Sequence, residues 1–364
     1  MMPLIPDDDA TVRISPLPPK RRSSRAAIVA ALCAVVILGG GGAWLAFAPP
    51  PRHAPMTPPP PVEAVALPSA APPSPAPPSA PPRIAITPAD EAAILADRSP
   101  DLRVFGLAAD PRVLVLSFAT LHAQGLMLNR LGAFVEKAGV PRDRVLPDPD
   151  LETAITRAGE TADTYNYGHD YRAADLARFF DTAAREGVTL RPEEQRLAAL
   201  LVQQGMLAPG AVGAVISIPP ETTNPPVGPA MRATILRHEL SHAAYFTDPA
   251  YAAYARLFWE TVLTEEQRAG FRRFLAGEGY DGANEDLMMN ETQAYLVYTR
   301  DRRFFEPKLA GLSDAEADRL REIFLRDMPD GWLRDLTRAP RALPPLTAAA
   351  PSPAPAGPRA SPGR

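Results

Sequence analysis

Two histidines and a glutamate stand in one short run, Arg237-His238-Glu239-Leu240-Ser241-His242, which spells H-E-x-x-H. On a helix, residues four apart stack on the same face. His238 and His242 can then aim two imidazoles at one metal ion. Glu239 sits one step round the cylinder, beside the metal and not on it. Two nitrogen ligands plus a carboxylate placed to take a proton from a water at the metal is the layout of a zinc hydrolase site. A core helix holding two hydrogen-bonded histidines is the competing account of the same letters, since so short a motif arises by chance.

The spacing predicts the helix that must carry these residues. Pro229 suits a first helical turn after Gly228, and Pro249 bars continuation. Between them Met231, Ile235, His238, His242 and Tyr245 recur at helical spacing and put both histidines on an inward, apolar stripe.

Zinc hydrolases take a third protein ligand and keep a fourth position open. The chain has five histidines and none follows His242, so a third ligand on that side must be a carboxylate. A helix is predicted over Asn284 to Tyr298, with Leu287, Met288, Glu291, Ala294, Tyr295 and Tyr298 as its apolar stripe. A carboxylate within such a stripe is costly unless it is paired or on a metal. Glu291 is therefore the expected third ligand. Glu285 competes but falls off the stripe, and a buried pair with an arginine is the bland alternative for Glu291.

His-Glu-Leu-Ser-His followed by a helical Asn290-Glu291 resembles the gluzincin branch of zinc metallopeptidases, over roughly residues 212 to 300. The resemblance implies a zincin-like fold, one zinc per chain on His238, His242 and Glu291, Glu239 as general base, and a peptide or protein substrate. Thermolysin-like members place an aspartate one turn after the glutamate to orient a histidine; here that position is Tyr295. A strand before the motif helix forms a sheet edge in zincins, where an extended peptide adds as a further strand. Val212 to Ile218 is the segment for that role, with an ordinary core strand as the alternative. Tyr167, His169 and Tyr295 are open possibilities for an oxyanion donor. The run Tyr165 to Tyr171 reads as an aromatic turn before a helix, with Asp170 as its N-cap. A non-catalytic envelope binding or scaffold module with a structural metal is the reading from a different class. Such a site would be closed by a fourth protein ligand.

The rest of the chain supplies context. Forty-five prolines in 364 residues cluster at the two ends and remove those ends from any core. A net charge of −4 implies no general affinity for nucleic acid. The single cysteine, Cys33, leaves the rest of the chain without disulfide or thiolate chemistry. Residues 1–25 form a basic segment ending in Lys20, Arg21, Arg22 and Arg25, followed by an uncharged run over 26–48. At 1.5 Å per residue that run spans about 35 Å, enough for a bilayer core of ~30 Å. The basic flank predicts a cytoplasmic N-terminus and a single-pass inner-membrane anchor, with the catalytic domain periplasmic. A cleaved signal peptide ending at Ala46-Phe47-Ala48 is the rival reading. Residues 49–83 read as a Pro/Ala-rich linker, 84–340 as the folded domain, and 341–364 as a disordered tail. Within the domain we expect an α+β, mainly helical fold. Strands are predicted at Arg112 to Phe118 and Val212 to Ile218. Helices are predicted over Thr120 to Ala138, Asp150 to Arg157, Tyr171 to Glu186, Pro192 to Met206 and Asp248 to Val262. Capping boxes at Thr264/Gln267 and Ser313/Glu316 open two more.

Overall fold

The computed structural model describes residues 83–338. The expected basic segment, membrane-spanning run and C-terminal tail, with nearly all of the linker, lie outside the described residues. Among the described residues no helix is long and apolar enough to cross a membrane.

The chain opens with strand β1 (Thr87–Ala89), helix α1 (Glu91–Ala96) and strand β2 (Arg103–Leu107). Sequence reading passed over all three because each is six residues or fewer and carries no periodic signal. Strand β3 (Val113–Ser117) and helix α2 (Leu121–Val135) follow, then α3 (Asp148–Arg157), strand β4 (His169–Arg172), α4 (Ala173–Glu186), α5 (Pro192–Gln203) and strand β5 (Ala214–Ile218). A short hairpin of β6 (Thr222–Thr223) and β7 (Pro226–Val227) leads to the long motif helix α6 (Pro229–Thr247). Five further α-helices complete the domain: α7 (Pro249–Leu257), α8 (Glu265–Gly277), α9 (Glu285–Gln293), α10 (Asp314–Asp327) and α11 (Trp332–Arg338). The fold is α+β and mainly helical, as expected.

Five of the strands form one mixed sheet in the order β1-β2-β3-β5-β4, while β6 and β7 pair only with each other. β3 and β5 pair in parallel, Val113 beside Ala214 through Ser117 beside Ile218, and every residue of both strands is buried. That is why they read as continuous apolar runs: both faces of the sheet are covered. On one face Val113, Val115, Ile216 and Ile218 join α6 through Leu236 and Leu240. On the other, Leu114, Leu116 and Val215 join Leu128 and Leu131 of α2 and Phe179 of α4.

Two expectations are corrected. β5 is an interior strand, flanked by β3 and β4, so the sheet edge on the α6 side belongs to β4. Asp170 is not an N-cap: it lies within β4, opposite Ile216, and α4 starts after Arg172. The pairing of β4 with β5 is made across more than forty residues of sequence, and local helix signals in Tyr171 onward do not register it.

Helix ends follow the local chemistry. Gly187, in the left-handed region at φ 66°, ends α4, where a side chain would be strained. Thr264/Gln267 and Ser313/Glu316 make the expected reciprocal caps of α8 and α10. α7 and α9 each run into a π-helical turn, Phe258–Val262 and Ala294–Tyr298. The second ends with the Thr299 amide donating to the Ala294 carbonyl at 3.0 Å.

α6 is held in place by its own arginines. Buried Arg232 donates to the carbonyls of Pro219 (2.9 Å) and Leu95 (2.6 Å) and to Ser117 Oγ (3.1 Å). Arg237, adjacent to His238, pairs with Glu91 of α1, one of its two contacts being 2.6 Å. These bonds fix the rotation of the helix that carries the motif.

Candidate metal centre

α6 presents His238 and His242 as its spacing requires. Their Nε2 atoms face each other at 3.0 Å. Glu291, on α9, is fully buried, and its Oε2 stands 3.7 Å from each of the two nitrogens. The point equidistant from these three atoms lies about 2 Å from each, the length of zinc–imidazole and zinc–carboxylate bonds. Both oxygens of Glu291 are buried without a hydrogen bond of good geometry, although the Tyr280 hydroxyl stands close enough to pull its pKa down against the larger upward push of burial. A carboxylate left so is costly without a cation. The donor set and its spacing therefore fit a zinc ion.

Electrostatics suit the same purpose. Burial, with His242 alongside, holds His238 well below the ordinary histidine range. Burial takes His242 down to about 4, Asn290 opposing slightly. Both rings are neutral at physiological pH, the form that binds metal. Burial and the neighbouring Glu136 push Glu291 well upward. Burial, Glu291 and Glu136 do the same to Glu239, which is 5% exposed with Oε2 unpartnered. The acids repel one another, and a divalent cation among them would relieve that repulsion.

The other expected residues divide. Glu285 stands apart from the cluster, accepting from Trp259 Nε1 at 2.8 Å and Arg272 at 2.7 Å. His169 lies on the opposite face of the sheet from α6, against Ser217 Oγ at 2.9 Å and Gln124. It cannot reach the centre. Tyr167 packs beside Val227, Met231 and Ile235. The Tyr295 ring stands edge-on to His238, centroids 4.8 Å apart, so it packs against that imidazole and does not hydrogen-bond to it as an aspartate would.

Four residues at the centre escaped sequence reading. Thr299 Oγ1 lies 2.7 Å from His238 Nδ1. Asp170 Oδ2 lies 3.8 Å from His242 Nε2 and forms with His242 and Glu239 a group whose ligating atoms are mutually within 4.8 Å. Glu136, from the end of α2, forms another such group with Asp170 and Glu291. Gly168 lies against the Glu239 carboxylate. The available signal was the Tyr165–Tyr171 run, already singled out, which contains both Asp170 and Gly168.

A cleft of ≈ 170 Å³ adjoins the centre, lined in part by Glu136, Asp170, Arg172, Phe246 and Asn290. Comparison with known protein families, characterised proteins and solved structures finds no match to the chain.

Proposed function

We propose that the chain is a zinc-dependent metallopeptidase of the gluzincin type, with His238, His242 and Glu291 holding the ion and Glu239 as general base. The observation that carries this reading is the convergence of two Nε2 atoms and one Oε2 at 3.0, 3.7 and 3.7 Å, with a buried, unpartnered carboxylate on the residue after the first histidine. Zinc, when bound, supplies Lewis acidity and lowers the pKa of water toward ~7.

The chain's own groups would do the rest. Glu239 gains proton affinity from burial and from Glu291, which suits a group that must accept a proton from water at its carboxylate and return it to the leaving amine. The cleft lined by Asp170 and Glu136, which neighbour Glu239 and Glu291, is where a substrate would approach. The run over 26–48, by its length and basic flank, would tether the domain to the inner membrane and place it outside the cytoplasm.

The test is metal analysis together with digestion of a peptide library by the purified chain, with and without chelator. One zinc per chain and chelator-sensitive cleavage are expected. Glu239→Gln should keep the metal and lose about 10²–10⁴-fold in turnover, the usual worth of a general base. A fully active Glu239→Gln chain contradicts the assignment.

A second reading, an envelope binding module with a structural metal, has Asp170 in its favour. Its Oδ2 is nearly as close to His242 as Glu291 is, and a fourth protein ligand would close the coordination sphere. On that reading chelation unfolds the domain and no peptide is cut under any condition.

A further inference from the structure

We propose that Gly168 is a positioning residue: its missing side chain is what lets the Glu239 carboxylate stand where a base is needed. The proposal rests on the peptidase reading of the same site for its kinetic consequence, though not for its geometric one.

A Cβ built on Gly168 falls 2.0 Å from Glu239 Oε1, 2.7 Å from its Cδ and 2.9 Å from Ile235 Cγ2. All three distances are shorter than real contacts of a Cβ. Gly168 does not occupy the left-handed backbone region that holds Gly187 and six other described glycines. The backbone there accepts any residue, so space alone accounts for the glycine.

What fills that space matters. Gly125 and Gly270 also stand where a Cβ would collide, but they meet backbone carbonyls, of Ala162 and Ala310 respectively. Those are close approaches of one chain segment to another. At Gly168 the nearest atoms are the end of a flexible side chain, and that side chain carries the proposed base. Glu239 Oε2 has no hydrogen-bond partner to hold it. The carboxylate's place is set by the surfaces it touches, and the Gly168 backbone, just ahead of β4, is one of them. A methyl group there leaves most of the fold alone and drives the carboxylate off. The shift needed is about 1 Å, and a misplacement of that size costs on the order of 10²-fold in rate.

The experiment introduces Gly168→Ala into the full chain on two backgrounds, wild type and Glu239→Asp. Aspartate is shorter by one methylene and removes the two tightest contacts, leaving the Ile235 Cγ2 methyl at 2.9 Å to give by a few tenths of an ångström on either background. On the wild-type background zinc content should be unchanged, kcat should fall about 100-fold and KM should move little. On the Glu239→Asp background the same substitution should change kcat by less than about 3-fold, a non-additivity that a general loss of structure would not produce. A crystal structure of Gly168→Ala should show the Glu239 carboxylate displaced with His238, His242 and Glu291 in place.

Equal losses on both backgrounds, an undiminished kcat or an unmoved carboxylate overturns the proposal. Should Gly168→Ala fail to fold, the double variant is expected to fold; failure of both also overturns it. A wild-type chain without chelator-sensitive hydrolysis would sink the peptidase reading instead, and the position of the carboxylate then decides the role of Gly168 alone.

Discussion

The Thr299 hydroxyl stands 2.7 Å from Nδ1 of His238 and donates its only proton to the Ala294 carbonyl at 3.0 Å. Its oxygen is therefore an acceptor toward the ring, and the imidazole nitrogen is the donor. With the proton fixed on Nδ1, the Nε2 lone pair is left facing His242 and Glu291. Metal-binding histidines are commonly oriented in this way. On the proposed reading, a threonine one residue past the π-helical turn would take the place of the aspartate that orients a histidine in thermolysin-like enzymes.

Removing that acceptor should weaken the metal centre. Thr299→Val keeps the shape and loses the oxygen; zinc affinity should fall about 10- to 100-fold, the usual cost of losing such a partner. Thr299→Ser should retain most of the affinity. Competition with a chromophoric chelator measures both, and equal affinities for Val and Thr at this position would refute the role.

Asp170 adds a negative charge to a cluster already holding Glu239 and Glu291. Burial and both of those acids push its carboxyl upward. Asp170→Asn should therefore raise the melting temperature of the metal-free protein. It should also shrink the further rise produced by zinc, because the cation then relieves less repulsion. Calorimetry with and without chelator reads both changes. A lowered melting temperature in the metal-free form would contradict this account.

His169 gives a pH prediction independent of the metal. Burial, aided by Lys137, holds it at about 3, below the ordinary histidine range. A group depressed on folding binds its proton more readily when unfolded, so the stability it contributes is present above about pH 6.5 and is lost as the pH falls. Between pH 7 and 5 the metal-free wild type should lose about 2 kcal/mol more than His169→Asn, at ~1.4 kcal/mol per pH unit below 6.5. Urea unfolding at the two pH values checks this. Parallel losses in the two proteins would show that the ring is not the responsible group.

Arg130 and Glu194 form a buried ion pair at 2.8 Å between α2 and α5, each side chain at most 1% exposed. Glu194→Ala strands a buried guanidinium whose other carboxylate, Asp148, is half exposed. The cost should be about 3–5 kcal/mol. Replacing both partners, Arg130→Met with Glu194→Leu, should cost much less, since no charge is then left alone. Denaturant midpoints of the two variants compare them directly, and a double variant less stable than the single would count against this explanation.

Much of this protein is dictated locally. H-E-x-x-H puts two rings on one face because a helix repeats every 3.6 residues, and Gly228, Pro229 and Pro249 bound that helix without help from the rest of the chain. Glu291 was legible as a charge in an apolar stripe, an expense that implies a partner. β3 and β5 were legible because strands covered on both faces are largely apolar, Ser117 and Ser217 being hydrogen-bonded exceptions.

The remainder depends on which distant segments meet, and no local periodicity carries that information. β4 lies beside β5 only because four backbone pairs join them, and that pairing decides that Asp170 faces the histidines while His169 turns to Ser217. Thr299 reaches His238 across sixty-one positions, through a π-helical turn that a 3.6-residue pattern does not predict. Gly168 has meaning only once Glu239 lies against it. One helix supplied two imidazoles from sequence alone; orienting them, adding the third donor and leaving room for a base required contacts between elements, which sheet order and packing alone determine.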